Sequence, residues 1–224
     1  MKSAKILIAG DSISHQRKGG YAAIVMRLHP EWEVVILRHV LGYFGNSMIW
    51  LDPEALIDYC QRCYGTNVKY AKSLIRGSIP FDELMVEPEY DVIHLNSGLH
   101  DIQMARSPLT NEFGPIVPIE RYEENLDYIV NRILTKTSSK LIWASTTPVN
   151  CPGRRPHRRN EDVIAYNKIA EKVMKKYDIV INDLYKLVMD CGIDECLHSG
   201  LHLNRVGRRL AGEQTARYIS EALG

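Results

Sequence analysis

Residues 5–12 read KILIAGDS, and this stretch decides how the rest of the chain is interpreted. Its mostly apolar first part, Lys5–Ala9, predicts a short buried strand, and Gly10 with Asp11 favours a turn directly after it. Ser12 would then lie where the strand ends, with its hydroxyl facing the edge of a sheet and backbone amides close by. The same letters also suit an ordinary turn or helix cap, so catalysis is indicated only together with other parts of the chain.

Four further runs repeat the strand pattern, and helical patterns alternate with them. The predicted strands are Glu33–Leu37, Asp91–Leu95, Lys140–Ala144 and Asp178–Ile181. The predicted helices cover about Tyr21–Leu28, Pro53–Cys63, Ile119–Leu134, Glu161–Lys176 and Val206–Leu223. Such alternation predicts right-handed crossovers and a parallel sheet that is covered on both faces. The predicted fold class is α/β: a three-layer α/β/α, doubly wound, five-stranded sheet in the flavodoxin-like order 2-1-3-4-5, with residues 1–224 as a single domain.

Composition limits the classes of protein to consider. With 224 residues, 45% hydrophobic and 25% charged, the chain suits one well-buried domain. The 28 Lys and Arg residues nearly balance the 27 Asp and Glu residues, so no overall field favours nucleic acid or an anionic membrane as a partner. No apolar run is long enough to cross a bilayer, and a strand follows the N-terminus at once, so we expect a cytoplasmic protein. Nothing in the sequence predicts an oligomeric state.

Polar groups follow the third predicted strand and precede the last predicted helix. Residues 96–101 read NSGLHD, and residues 200–204 read GLHLN. Because the carboxyl ends of parallel strands meet at one edge of a sheet, we expect a hydroxyl, an imidazole with a carboxylate, and a second imidazole to converge there. A serine and a histidine are the minimum for nucleophilic acyl transfer.

Four blocks in this order resemble the SGNH hydrolases, also called GDSL-like esterases, over nearly the whole chain. They are Gly10-Asp11-Ser12-Ile13, Gly45-Asn46-Ser47, Gly98-Leu99-His100-Asp101, and Leu201-His202-Leu203-Asn204 with Gly207. Residues 141–149 (LIWASTTPV) and 159–167 (RNEDVIAYN) are similar to stretches of bacterial relatives. The resemblance implies Ser12 as nucleophile and His202 as base. It also implies an oxyanion hole formed by the amides of Ser12 and Gly45 with the His100 side chain, supporting roles for Asp11, Asp101 and Ser199, and no metal or organic cofactor.

The chain departs from the family pattern at His100, where the family has an asparagine. An amide donates a hydrogen bond at any pH, whereas an imidazole donates from one nitrogen when neutral and from both when protonated. His100 can therefore replace the asparagine, and the alternative is that it packs against or caps the segment that follows.

A second departure concerns the acid of the last block, because Ser199 and Gly200 occupy the positions where the family carries aspartate. A carboxylate at that place holds the imidazole in the required tautomer and stabilises its protonated form. Three replacements are open: Ser199 or a backbone carbonyl orients His202, Asp194 or Glu195 folds back to it, or the activity is weak or lost. His198 is a rival base, although only His202 has the family's sequence context.

The remaining motifs are expected to be structural. Five cysteines without a secretory signal favour free thiols, and Cys60 with Cys63 has redox or zinc spacing but no second ligand pair. His94, inside a predicted strand, is expected to be a hydrogen-bonded core residue. Ser107–Pro118 and Asn150–Arg159 are rich in Pro and Gly and are expected to be irregular. The second segment contains four arginines: Arg154, Arg155, Arg158 and Arg159. We expect them to lie in a solvated loop, and the alternative is that they bind an anion.

These observations favour a serine ester hydrolase that acts through an acyl-enzyme intermediate on a small-molecule or carbohydrate ester, with an acetylated sugar as first choice. The alternatives are an acyltransferase that uses the same serine and histidine, and a catalytically silent binding protein.

Overall fold

The computed structural model describes residues 3–15, 20–36, 89–106, 113–153 and 158–224. Its strands are, in chain order, β1 (Lys5–Ala9), β2 (Glu33–Ile36), β3 (Val92–Asn96), β4 (Met104–Arg106), β5 (Phe113–Pro115), β6 (Lys140–Ala144), β7 (Val180–Asn182), β8 (Leu197–His198) and β9 (His202–Leu203). Its helices are α1 (Ser12–His15), α2 (Ala22–Leu28), α3 (Ile119–Lys136), α4 (Asn160–Lys176), α5 (Leu184–Cys191), α6 (Ile193–Cys196) and α7 (Arg205–Leu223).

A parallel five-stranded sheet in the order β2-β1-β3-β6-β7 forms the centre of the described chain. This is the predicted doubly wound order, and the predicted fold class is confirmed. The register pairs Ala9 with Leu95, and Asn96 with Ala144, so the strands end nearly level and their carboxyl ends form one edge. β4–β5 and β8–β9 are separate antiparallel hairpins.

Helices cover both faces of the sheet. α2 packs against α7, and α3 packs against α4. Right-handed crossovers that run in opposite directions from the centre place these two pairs on opposite faces. The strands between them are buried on both sides, and every residue of β3 is buried. Both faces of β1 are covered, so its side chains on either face must be apolar, and Ile6–Ala9 form such a continuous apolar run.

The structure refines several predicted elements. β1 and β6 have the predicted bounds, whereas β7 begins at Val180 because Asp178 adopts a left-handed conformation (φ 54°) that ends the preceding helix. The segment Ser107–Pro118 is not irregular throughout, since β5 pairs with β4. α5 has no counterpart among the predicted helices, and Asp183 caps it by accepting a hydrogen bond from Lys186 N at 2.9 Å. The predicted helix Pro53–Cys63 lies outside the described residues.

His94 is the predicted core histidine, fully buried in β3. The Asn182 side-chain nitrogen donates to Nε2 at 3.0 Å, and Nδ1 lies 3.4 Å from the Tyr21 hydroxyl. Burial lowers the pKa of His94 to about 3, so the ring is neutral in the folded protein at ordinary pH. No helix in the described part of the chain is long and apolar enough to cross a membrane.

Candidate active site

Ser12 begins α1, three residues beyond the end of β1. A side chain at Gly10 would press against Asn96, its Cβ lying 3.1 Å from the Asn96 Cβ and 3.2 Å from the Asn96 carbonyl oxygen. Glycine therefore lets the turn after β1 approach the end of β3. The carboxylate of Asp11 accepts a hydrogen bond from Ile13 N at 2.9 Å, which fixes the turn on both sides of the serine. Ser12 itself is half-buried at the carboxyl edge of the sheet.

His202 lies on β9, in the hairpin that precedes α7. Ser199 and Gly200 form its turn with φ values of 56° and 67°, both in the left-handed region. A Cβ at Gly200 would overlap the carbonyl oxygen of Asn150, and Asn150 N donates to Gly200 O at 2.7 Å. The loop that follows β6 therefore holds the hairpin against the edge of the sheet.

The two predicted catalytic side chains meet at this edge. Ser12 Oγ lies 3.0 Å from His202 Nε2, although 190 residues separate them in sequence. A nucleophile and a base at this separation can share a proton. The pair is therefore geometrically capable of activating the serine hydroxyl for attack on a carbonyl carbon.

The carboxylates considered as a third member lie at the surface. Asp194 and Glu195 are exposed on the short helix α6. Ser199 is exposed in the hairpin turn three residues before the imidazole.

Asp11 is fully buried beside the nucleophile. Burial raises the pKa of its carboxyl to about 6, while the Ile13 N–H, the Arg158 charge and the Leu99 backbone act in the opposite direction. Its carboxylate binds the backbone of the turn, and the supporting role of Asp11 stays a prediction.

His100 and Asp101 occupy the turn after β3, beside the Ser12 turn because β1 and β3 are neighbours in the sheet. Gly98, with φ 142°, starts this turn, and a Cβ there would overlap Thr146 Oγ1. His100 is half-buried, and its carbonyl oxygen accepts from Gln103 N at 3.1 Å. Asp101 is fully buried and accepts from Ser97 Oγ at 3.3 Å, so its carboxylate braces the turn from inside. Gly45, the other predicted oxyanion residue, lies outside the described residues.

The structure corrects the prediction for one of the four arginines. Arg158 is not part of a solvated loop: it is buried, and its Nε donates to Leu99 O at 2.6 Å, with Gln103 Oε1 at 3.2 Å from its Nη2. It thus holds both sides of the His100 turn. Arg159 is exposed, as predicted, and pairs through two 2.7 Å bonds with Asp162. Arg154 and Arg155 lie outside the described residues. No pattern in the sequence distinguishes Arg158 from its neighbours.

The other candidate groups stay separate from the Ser12–His202 pair. Cys151 and Cys196 are buried free thiols, Cys191 is half-buried, and Cys60 and Cys63 lie outside the described residues. Within the described ranges, no group of three or more His, Cys, Asp or Glu residues is arranged to hold a metal ion.

Comparison with solved structures assigns the fold. A lipase/acylhydrolase from Enterococcus faecalis superposes with a TM-score of 0.66 at 20% identity, covering 99% of this chain and 97% of the other. A protein of Slackia heliotrinireducens described as an SGNH hydrolase superposes with a TM-score of 0.58 at 13% identity, covering 97% and 99%. This is the SGNH hydrolase fold. An acetyl xylan esterase shares this SGNH fold with a TM-score of 0.63 at 14% identity, covering 96% and 99%.

Sequence relatives agree with the SGNH fold. A GDSL esterase/lipase of Arabidopsis thaliana is 28% identical over 237 aligned residues, which cover 99% of this chain and 88% of that protein. A GDSL esterase/lipase of Oryza sativa subsp. japonica is 26% identical over 170 residues, covering 70% of this chain and 63% of that protein, which is less than two thirds of its length. No family model matches the chain. The relatives and the fold together support a carboxylic ester hydrolase of the GDSL/SGNH type.

Proposed function

We propose that the chain is a serine ester hydrolase in which Ser12 is the nucleophile and His202 is the base. The observation that carries this proposal is the 3.0 Å separation between Ser12 Oγ and His202 Nε2 at the carboxyl edge of the sheet. In open α/β sheets this edge is where ligands bind. The half-buried position of Ser12 leaves its hydroxyl accessible to a substrate.

The reaction begins when Ser12 Oγ attacks the ester carbonyl carbon and its proton moves to His202 Nε2. The tetrahedral intermediate collapses as the bond to the alcohol breaks, and His202 returns the proton to the leaving oxygen. Water then attacks the acyl-Ser12 carbonyl with the same help from His202. The second collapse releases the acid and restores the serine.

The negative charge of both intermediates needs hydrogen-bond donors close to Ser12. We propose the backbone amide of Ser12, the amide of Gly45 and the side chain of His100 for this role. Support comes from Arg158 and Asp101, since a turn held by a buried guanidinium and a buried carboxylate can keep the His100 side chain in one position. Donors that are already oriented need no reorganisation when the charge develops.

For the substrate we propose a small acyl ester, with an acetylated carbohydrate as first choice. One structure with this fold is that of an acetyl xylan esterase, aligned over 96% of this chain. The stretch LIWASTTPV at 141–149, which resembles bacterial relatives, forms β6 and the start of the loop that reaches the His202 hairpin.

Replacement of the nucleophile tests the proposal. Ser12→Ala is expected to reduce kcat on 4-nitrophenyl acetate at least ~10³-fold, because the covalent route is removed. Its free energy of unfolding should change by less than ~1 kcal/mol, since a small half-exposed hydroxyl contributes little to packing. Ser138→Ala is the matched control, as Ser138 is exposed in the loop before β6. Wild-type turnover by Ser12→Ala would refute the assignment, as would failure of the wild type to react with a fluorophosphonate at Ser12.

A further inference from the structure

A second surface feature lies where α2 and α7 pack against each other. Between α2 and α7 runs a groove of about 560 Å³ lined by Gly20, Ala23, Ile24, Met26, Arg27, Arg205 and Arg208. Three of its seven lining residues are arginines, and none of the seven is acidic. We call it the arginine groove.

The charges of the arginine groove are not neutralised within the described part of the chain. Arg27, Arg205 and Arg208 form no ion pair there, whereas Arg209, one residue further along α7, pairs with Glu213 at 3.0 Å. Arg208 Nε donates to Asn204 O at 3.2 Å, which holds its guanidinium in place and leaves the terminal nitrogens as donors. Guanidinium groups with unused donors bind carboxylate or phosphate oxygens in pairs of hydrogen bonds.

The position of these arginines on α7 is unfavourable for the helix itself. Arg205 and Arg208 lie in its first turn, which contains no acidic residue. The N-terminus of a helix carries partial positive charge, so acidic residues are the stabilising choice there. Asn204 Oδ1 already accepts from Val206 N and Gly207 N at 2.8 and 3.0 Å. A bound anion would offset this accumulation of positive charge, and the guanidinium groups would be its donors.

Short stretches of chain and contacts between elements connect the groove to the proposed active site. Arg205 follows His202 by three residues, a stretch that spans at most about 11 Å of extended chain. α1, which begins at Ser12, contacts both α2 and β9. A substrate of the size of a sugar can therefore place an ester at Ser12 and a charged substituent in the groove.

We propose that the arginine groove binds a carboxylate or phosphate on the non-reacting part of an ester substrate. The substrate would thus be an anionic acylated small molecule, such as an acetylated uronic acid or sugar phosphate. This inference rests on the proposed ester hydrolase function and names the class of substrate for the same site.

Three acetyl esters that differ at one position test the kinetic side of the inference: acetylated glucose, acetylated glucuronate and acetylated glucose 6-phosphate. The wild type is expected to show a kcat/KM at least about tenfold higher for one of the charged esters than for the neutral one. Arg205→Gln with Arg208→Gln should remove this preference, and Arg209→Gln should keep it. The charged ester that is preferred identifies carboxylate or phosphate as the ligand. No preference in the wild type, or a preference that survives the double substitution, would overturn the inference.

Direct binding separates this inference from the proposed function. Glucuronate and glucose 6-phosphate, titrated into Ser12→Ala protein by calorimetry, should bind saturably, and Arg27→Gln with Arg208→Gln should weaken the tighter ligand at least about tenfold. If this binding is present but the wild type hydrolyses no ester, the proposed function fails and the anion site remains. If esters are hydrolysed but neither anion binds, the function remains and the arginine groove is not a substrate site.

Discussion

Ser199 occupies a backbone conformation that decides what can replace it. Its φ of 56° lies in the left-handed region, where Asp and Asn are tolerated better than most other residues with a side chain. It also stands three residues before His202, where the family carries its acid. Aspartate at this position is therefore compatible with the turn.

We predict that Ser199→Asp raises kcat on 4-nitrophenyl acetate about tenfold or more. A carboxylate within reach of the imidazole stabilises the protonated form that arises when Ser12 loses its proton, and loss of such an acid costs ~10⁴ in triad enzymes. The acidic limb of the kcat/KM profile should move to higher pH, because the added charge favours imidazolium. Steady-state kinetics between pH 5 and 9 measure both effects.

The matched control is Ser199→Asn, which has the shape of aspartate without its charge and should leave kcat within about threefold of the wild type. Asp194→Asn and Glu195→Gln complete the series, and we expect little change because both side chains are exposed on α6. A large loss in either variant would instead identify a displaced acid and contradict the interpretation of a serine–histidine pair.

Single residues were predictable where a local pattern surrounds them. Ser12 and His202 stand in blocks that can be recognised along the chain, and the sheet brings them together. Arg158 could not be predicted, since its bond to Leu99 O joins residues 59 apart in sequence and buried arginines are rare. Nothing in the sequence around the four arginines indicates which of them is buried.

At the scale of elements, the β8–β9 hairpin depends on close contact with the loop after β6. We predict that Gly200→Ala lowers the free energy of unfolding by more than ~3 kcal/mol and reduces activity. The added Cβ would overlap the Asn150 carbonyl oxygen, and the backbone would also be strained by its positive φ. Urea unfolding and ester hydrolysis measure the two effects.

Gly153→Ala distinguishes the cost of a strained backbone from the cost of steric overlap with the Asn150 carbonyl oxygen. Gly153 has a similar φ of 71°, but a Cβ there meets nothing within 4 Å, so only the backbone cost of about 1 kcal/mol is expected. If both variants lose the same stability, the contact between the hairpin and the loop is not what holds His202 in place.

The elements themselves were predictable in proportion to their length and apolar content. β1 and β6 were predicted residue by residue, and α3, α4 and α7 within two residues at each end. α5 and the two hairpins were missed, because eight residues or fewer with mixed polarity give no clear period. The β8–β9 hairpin also depends on a contact with a distant segment, the hydrogen bond from Asn150 N to Gly200 O.

For the whole molecule, two buried ionisable groups give the stability opposite dependences on pH. The pKa of His94 falls to about 3, so between pH 3 and 6.5 the unfolded chain binds a proton that the folded protein does not, and stability decreases as the pH falls. The pKa of Asp11 rises to about 6, so between pH 4 and 6 the folded protein binds the extra proton, and stability decreases as the pH rises.

We predict that His94→Gln flattens the loss of stability between pH 6.5 and 4.5, because glutamine offers Asn182 an acceptor and cannot be protonated. Urea unfolding at a series of pH values measures the slope. His198→Gln, at an exposed position on β8, is the control and should retain the wild-type slope. An unchanged slope in His94→Gln would mean that His94 does not enter the acid response, and a steeper one would mean that it acts in the opposite direction.

One loop connects two parts of the proposed active site. The amide of Asn150 binds the hairpin that carries His202, and Arg158, eight residues later, binds the turn that carries His100. For protein engineering, this makes residues 145–159 a poor place to exchange loops between enzymes of this fold. A transplanted loop would lose both hydrogen bonds unless the hairpin and the His100 turn were exchanged with it. Substrate range is more safely altered at the arginine groove, because neither the Asn150 bond nor the Arg158 bond involves its lining residues.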